Sequence, residues 1–243
     1  MPANSSNSRT EPRHHRTAKF YGQPGFERIR QANITIIGLG GVGGHAAVNL
    51  ARSGIGALHL VDFDEVTDSS LNRSPYAGPL NVGSLKTDVL AACLAEICPD
   101  THVSITSQRC GPDNQAELVS LDSPARPDLV IDAIDSVQDK ISLLAWCRQN
   151  NIPVLASMGA AGKRDVTLVR TGPIAETRVC PLAKQVRLGL RDLGVPLDIP
   201  CIWSLEKVAS GRGGPLPSQM SLPGVLGYGL ASLALDLIAR EEK

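Results

Sequence analysis

Gly38-Leu39-Gly40-Gly41-Val42-Gly43 stands between a mainly apolar run, Asn33 to Ile37, and a stretch of helical pattern that follows it. Glycines at these spacings let the chain turn tightly and let phosphate oxygens approach main-chain N–H groups. The start of the following helix adds partial positive charge. Gly38, Gly40, Gly41 and Gly43 are therefore candidate phosphate-binding positions. Asp62 follows the next apolar run, where a carboxylate can accept hydrogen bonds from ribose hydroxyls, and a second acid, Asp64, stands two residues on. Taken alone, this fingerprint indicates a nucleotide or dinucleotide, with NAD as the default. Two cations change that reading. Arg73 and Lys86 fall between the second strand and the next helix. Hydride transfer has no use for them there, whereas a triphosphate does, because negative charge grows on the bridging oxygen as pyrophosphate leaves. Arginine can clamp phosphate oxygens through paired donors, and lysine acts as a point charge. Asp135, just past an apolar run at 129–131, falls at the C-terminal edge of a sheet and is a candidate ligand for Mg2+. Each cation read singly is a solvated surface charge. Together with the loop they point to ATP-dependent activation of a substrate oxygen by adenylation.

The elements that must carry these residues alternate along the chain. Strands are expected at 33–37, 57–61, 103–106, 129–131 and 154–156. Helices are expected at 45–53, 84–97, 113–121 and 137–150. Strand–helix repetition of this kind implies an α/β fold, a Rossmann-like, doubly wound and mostly parallel sheet with right-handed crossovers. Residues 17–160 form the expected ATP-binding core. Residues 161–243 read as a smaller C-terminal extension for substrate binding and dimerisation. It carries a mobile Gly/Pro/Ser-rich loop at 209–224 and an amphipathic helix at 225–240. The first sixteen residues are polar, lack an apolar signal core and read as a disordered lead-in, with His14 and His15 solvated.

Net charge is zero, so no whole-molecule field draws the chain to nucleic acid or membrane, and any such binding needs a local patch. One exists at 162–191, where Lys163, Arg164, Arg170, Arg178, Lys184, Arg187 and Arg191 face only Asp165, Glu176 and no other acid. No run of eighteen apolar residues is present, so no spanning helix and no membrane partner are expected. The six cysteines form no CxxC pair, which removes sequence support for a four-cysteine zinc site. Scattered thiols in a nucleotide-binding fold suit a reducing cytoplasm. Cys201 is a candidate acyl-capturing nucleophile, a role that requires exposure and a depressed pKa.

The strings GLGGVGG, LVDFDEV, LNR at 71–73, VGSLK at 82–86 and VIDAIDS resemble the ubiquitin-activating-enzyme-like (E1-like, ThiF-type) adenylating family. Within it, TAKFYG at 17–22, VIDAIDSVQDK with WCRQNNIPV behind it, and PLAKQVR at 181–187 are similar to the tRNA threonylcarbamoyladenosine dehydratases. The resemblance implies a homodimer that uses ATP and Mg2+ to adenylate the threonylcarbamoyl carboxylate on a tRNA adenosine. An amide nitrogen then displaces AMP to close a ring. It assigns Arg73 and Lys86 to the triphosphate, Asp135 to the metal and Asp62 to the ribose. The family's asparagine before the arginine is Ser70 here, with Asn72 as its candidate substitute, and the glutamine after it is Ser74. Three alternatives stay open. One is adenylation of the C-terminal carboxylate of a ubiquitin-like sulfur-carrier protein, whose relatives commonly carry two CxxC pairs. The others are an NAD-dependent oxidoreductase and an inactive binding protein.

Overall fold

The computed structural model describes residues 12–119, 126–209, 214 and 216–240. Its sheet is made of β1 (Asn33–Ile37), β2 (Ala57–Val61), β3 (His102–Thr106), β4 (Leu129–Asp132), β5 (Val154–Ser157), β6 (Val169–Pro173) and β7 (Pro200–Ser204). The helices are α1 (His15–Gln31), α2 (Gly41–Arg52), α3 (Lys86–Ile97), α4 (Gln115–Leu118), α5 (Val137–Gln149), α6 (Pro181–Asp192) and α7 (Ser221–Ala239). The strand order is β3-β2-β1-β4-β5-β7-β6, parallel throughout except for β6 against β7. Chain order reverses between β1 and β4. That is the switch point of a doubly wound sheet, where a crevice opens outside the strand C-termini. β4 and β5 are buried at every position, which is why they read as unbroken apolar runs rather than alternating ones.

Two apolar layers cover the sheet. On one face Ile34, Ile36, Leu58 and Leu60 pack with Leu50 of α2, Leu90 and Leu94 of α3, and Leu226 and Leu230 of α7. On the other, Val130, Ala156 and Cys201 pack with Leu143 and Leu144 of α5 and Val186 and Leu190 of α6. The strands expected from periodicity all form. The helix expected at 113–121 is only the single turn of α4, and residues 120–125 lie outside the described ones.

One further expectation is revised, and two gain structural detail. Residues 12–16 do not continue the polar lead-in: they open a helical segment, and His14 is buried. The reason is a long-range ion cluster. Asp100, just beyond α3, accepts His14 Nε2 at 2.8 Å and pairs with Arg13 and Arg30, each at 3.0 Å. Residues 1–11 lie outside the described ones. Second, within the expected C-terminal extension, β6, β7 and α7 complete the same sheet and its cover. Within 209–224, residues 210–213 and 215 lie outside the described ones, while 221–224 already belong to α7. Third, α7 is long and apolar enough to cross a membrane by length and composition. Half of it is buried within the protein against α2, α1, β5 and β7, as expected of a core helix.

Candidate active site

The crevice at the switch point is a cavity of about 790 Å³. Gly38, Gly40, Gly41, Asp62, Asp64, Asn72, Arg73, Lys86 and Asp135 all line it. Of the candidate site residues, only Gly43 does not, and its role is steric. A Cβ there would sit 1.8 Å from the Gly38 carbonyl oxygen, so only glycine lets α2 start this close to the turn. Gly38 itself has φ +90°, and a side chain would meet the Ala133 carbonyl oxygen at 2.7 Å, at the foot of the β4–α5 loop.

Asp62 closes the turn from the end of β2. Its Oδ2 accepts the Leu39 N–H at 2.6 Å and its Oδ1 accepts the Asp64 N–H at 2.8 Å. Each carboxylate oxygen retains a further lone pair for a ribose hydroxyl. Tyr76 donates its hydroxyl to the Leu39 carbonyl at 2.5 Å. Burial, and then the nearby Asp62 charge, pushes that phenol well above its ordinary range, which keeps it a donor. His45, on the first turns of α2, is buried and engages the Gly41 carbonyl at 2.6 Å. Burial holds its pKa below the usual histidine value, so it supplies no charge to a phosphate.

The two cations are positioned by separate means. Lys86 is the first residue of α3, and its ammonium donates to Asp64 Oδ2 at 2.6 Å. The segments that carry them are laced by main-chain bonds, Lys86 N–H to Asp64 at 3.0 Å and Val66 N–H to Ser84 at 2.8 Å. Arg73 donates to the Ser69 carbonyl and, at 3.4 Å, to Asn72 Oδ1, while the Asn72 amide donates to Ser218 at 3.0 Å. Ser70 is buried, and its hydroxyl accepts the Thr67 N–H at 3.2 Å, capping the turn that delivers Arg73. Asp135 is exposed at the mouth of the β4–α5 loop. Its loop is held from below, because Asp132 Oδ1 accepts the Ile134 N–H at 3.1 Å and Oδ2 takes the Lys140 ammonium at 2.6 Å. That pair is wholly buried, and desolvation raises the Asp132 pKa against the pull of Lys140.

Several lining residues were not anticipated. Phe63, between the two acids, is half exposed, and the Arg109 guanidinium lies 5.7 Å from its ring centroid while pairing with Asp139 at 2.8 Å. Lys163, expected within the basic surface run, is buried in the cavity wall, as are Met158 and Cys180. An aromatic flanked by two acids at a strand end was the available sequence signal for Phe63; nothing local distinguished Lys163 from its basic neighbours. Of that run, Arg164, Arg170, Arg178, Lys184 and Arg191 are exposed, whereas Arg187 is tied to Thr177. Cys201 fails as a nucleophile. It lies fully buried in β7, and burial pushes its thiol up to about 12. Among the described residues no group of three or more His, Cys, Asp or Glu is placed to hold a metal.

The sequence is 39% identical over 197 residues to the tRNA threonylcarbamoyladenosine dehydratase of Escherichia coli (strain K12), covering 78% of this chain and 72% of that protein. It is 36% identical over 185 residues to the protein of the same name from Bacillus subtilis (strain 168), covering 76% and 71%. The crystal structure of E. coli tRNA N6-threonylcarbamoyladenosine dehydratase in complex with ATP superposes with a TM-score of 0.87 at 34% identity, covering 93% of each chain, and so does the AMP complex. The ThiF family model matches residues 13–189, a span that runs from the buried His14 through the glycine turn, both cations and the β4–α5 acid into α6, and the chain belongs to the ThiF family.

Proposed function

We propose that this protein is an ATP-dependent adenylating enzyme that dehydrates and cyclises N6-threonylcarbamoyladenosine in tRNA. The observation that carries the reading is the convergence of Arg73, Lys86 and Asp135 on one cavity beside the glycine turn. The relatives named above support the substrate.

The N–H groups of the turn and of the first residues of α2 cradle phosphate oxygens. Asp62 orients the ribose. Arg73 and Lys86 stabilise the charge that builds on departing pyrophosphate. A lone exposed carboxylate fits Mg2+, which takes one or two protein carboxylates beside substrate phosphates rather than a complete protein cage. Asp135 would hold that ion, whose contribution is to neutralise phosphate charge. The substrate carboxylate attacks the α-phosphorus and pyrophosphate leaves. The ring nitrogen-to-be then displaces AMP without a protein thiol, in keeping with the buried Cys201. The exposed Arg164, Arg178, Lys184 and Arg191 form the face for the tRNA backbone, and the enzyme works as a cytoplasmic homodimer.

The test is pyrophosphate release from ATP with tRNA carrying N6-threonylcarbamoyladenosine and with unmodified tRNA, followed by nucleoside mass spectrometry. Release that depends on the modified tRNA, with loss of one water from the nucleoside, is expected. Release indifferent to the modification refutes the substrate.

A further inference from the structure

Lys163 is a buried cation without a counter-ion among the described residues. It is 4% exposed, and among the described residues its ammonium has one hydrogen-bond partner, the Ser204 main-chain oxygen at 3.3 Å. An ammonium carries three donors, and a desolvated charge is costly unless it is paired. Asp165 on its own loop and Glu206 just after β7 are engaged elsewhere. Glu206 Oε2 accepts the Arg164 and Asp165 N–H groups at 2.7 and 2.6 Å, and Asp165 Oδ1 accepts from Thr167. The loop is a fixed strut. Gly162 N–H donates to Pro217 at 2.7 Å and Ala209 N–H donates back to Gly162 at 2.8 Å. Lys163 is thus held from both sides in the wall of the cavity that also holds the glycine turn.

The strand order sets where Lys163 stands relative to the other charged groups. Asp62, Arg73 and Lys86 follow β2, the glycine turn follows β1, Asp135 follows β4, and Lys163 follows β5. These strands lie side by side at roughly 4.8 Å spacing. Asp62, Arg73 and Lys86 therefore sit on one side of the turn, Asp135 stands next to it on the other, and Lys163 stands one strand further out, beside the apolar Met158, Leu182 and Leu216.

We propose that Lys163 is the receptor for the free carboxylate of the acyl substrate, an inference that rests on the adenylation reading above. A lysine suits this position better than an arginine. As a point charge it holds one carboxylate oxygen and leaves the other to bond to the α-phosphorus, while the bridging P–O bond breaks and pyrophosphate takes its electron pair. A guanidinium grips both oxygens at once.

The experiment uses full-length protein and tRNA bearing N6-threonylcarbamoyladenosine as the free acid or as its methyl ester. Binding of both forms and of ATP is measured for wild type, Lys163→Met and Lys163→Arg, with thermal melting as the fold control. Wild type should prefer acid over ester by about tenfold or more, the scale of a hydrogen bond to a charged group. Lys163→Met should lose that preference with ATP affinity unchanged. Lys163→Arg should keep the preference and turn over more slowly. A Lys163→Met enzyme that retains the preference, or that weakens acid and ester equally, overturns the assignment and leaves a structural tie to Ser204. So does a wild type that converts the acid form yet binds both forms alike, a result that needs no variant to fold. A wild type that does not convert the acid form at all brings down the proposed function itself, which no Lys163 variant result can do.

Discussion

Replacing Lys140 with alanine should destabilise the protein by about 3–5 kcal/mol near pH 7.5, the cost of stranding one partner of a buried ion pair. Both partners are fully buried, and the Lys140 ammonium is the only cation paired with Asp132 among the described residues. In a chain of this size that corresponds to a melting point lower by about 6–20 °C. The pH dependence gives a sharper signature. Burial already raises the Asp132 pKa and Lys140 opposes it, so removing Lys140 raises it further. The carboxyl in the folded variant must then hold a proton that the unfolded chain has released. A group with a raised folded pKa contributes stability that is present below the unfolded value of about 3.9 and lost as pH rises through the folded one. The gap between variant and wild type should therefore be widest at pH 7–8 and narrow toward pH 5. Urea melts followed by circular dichroism at several pH values measure it. Pairing Lys140→Met with Asp132→Leu should recover most of the stability but not the activity, because Asp132 also anchors the Ile134 N–H beneath Asp135. A single Lys140→Ala variant within about 1 kcal/mol of wild type at every pH would refute a charged pair in the core.

Arg73→Ala and Lys86→Ala should each lower turnover by roughly a hundredfold or more with the fold intact, and unchanged ATP–pyrophosphate exchange in either would remove it from the chemistry. Cys201→Ala should leave turnover essentially unchanged, and the buried wild-type thiol should resist iodoacetamide until the protein unfolds; rapid labelling of Cys201 in the native state would contradict its burial. For Asp100, burial pushes the carboxyl up, but the His14 hydrogen bond and the His14 and Arg13 charges outweigh it and hold the pKa below the usual value. The stability this adds is present above the unfolded pKa and lost as pH falls through the folded one, so Asp100→Asn should flatten acid unfolding below about pH 4. Hydrogen exchange of α1 reads that loss directly.

The parts of this fold legible in the sequence are those whose signal is local. β4 and β5 are short apolar runs because both faces are covered, and the glycine turn declares itself because Gly38 and Gly43 answer steric demands only a few residues away. Arg73 and Lys86 were singled out as cations between β2 and α3, and Asp135 as an acid just past β4, and all three line one cavity. β6 and β7 were not legible. Gly172 and Pro173 interrupt the first, Pro200 opens the second, and their antiparallel pairing at the sheet edge leaves no periodic apolar run. The buried lysines are a different failure. Lys140 and Lys163 sit among ordinary surface residues in sequence, and only the chain's path in space takes them from water. His14 likewise reads as tail because its partner, Asp100, stands 86 residues away.

The charges around the cavity constrain how the proposed chemistry can work. Asp62, Asp64, Asp135 and Asp139 line it against Arg73, Lys86, Arg109 and Lys163, so the acids and bases balance in number. This is not a positive funnel that captures a bare triphosphate by its field. Two of the four cations are already paired with acids, Lys86 with Asp64 and Arg109 with Asp139. Arg73 is held by a main-chain oxygen and an amide. Such pairing fixes the donors in place at little cost in reorganisation, but it leaves the ligand's own charge to be offset by something that arrives with it. A divalent cation at Asp135 would meet that need. In the proposed chemistry, ground-state affinity would come chiefly from the nucleotide's metal and the turn's N–H groups. The oriented Arg73 and Lys86 would then act where charge increases, on the departing pyrophosphate, and that difference between ground and transition state is the quantity that raises a rate.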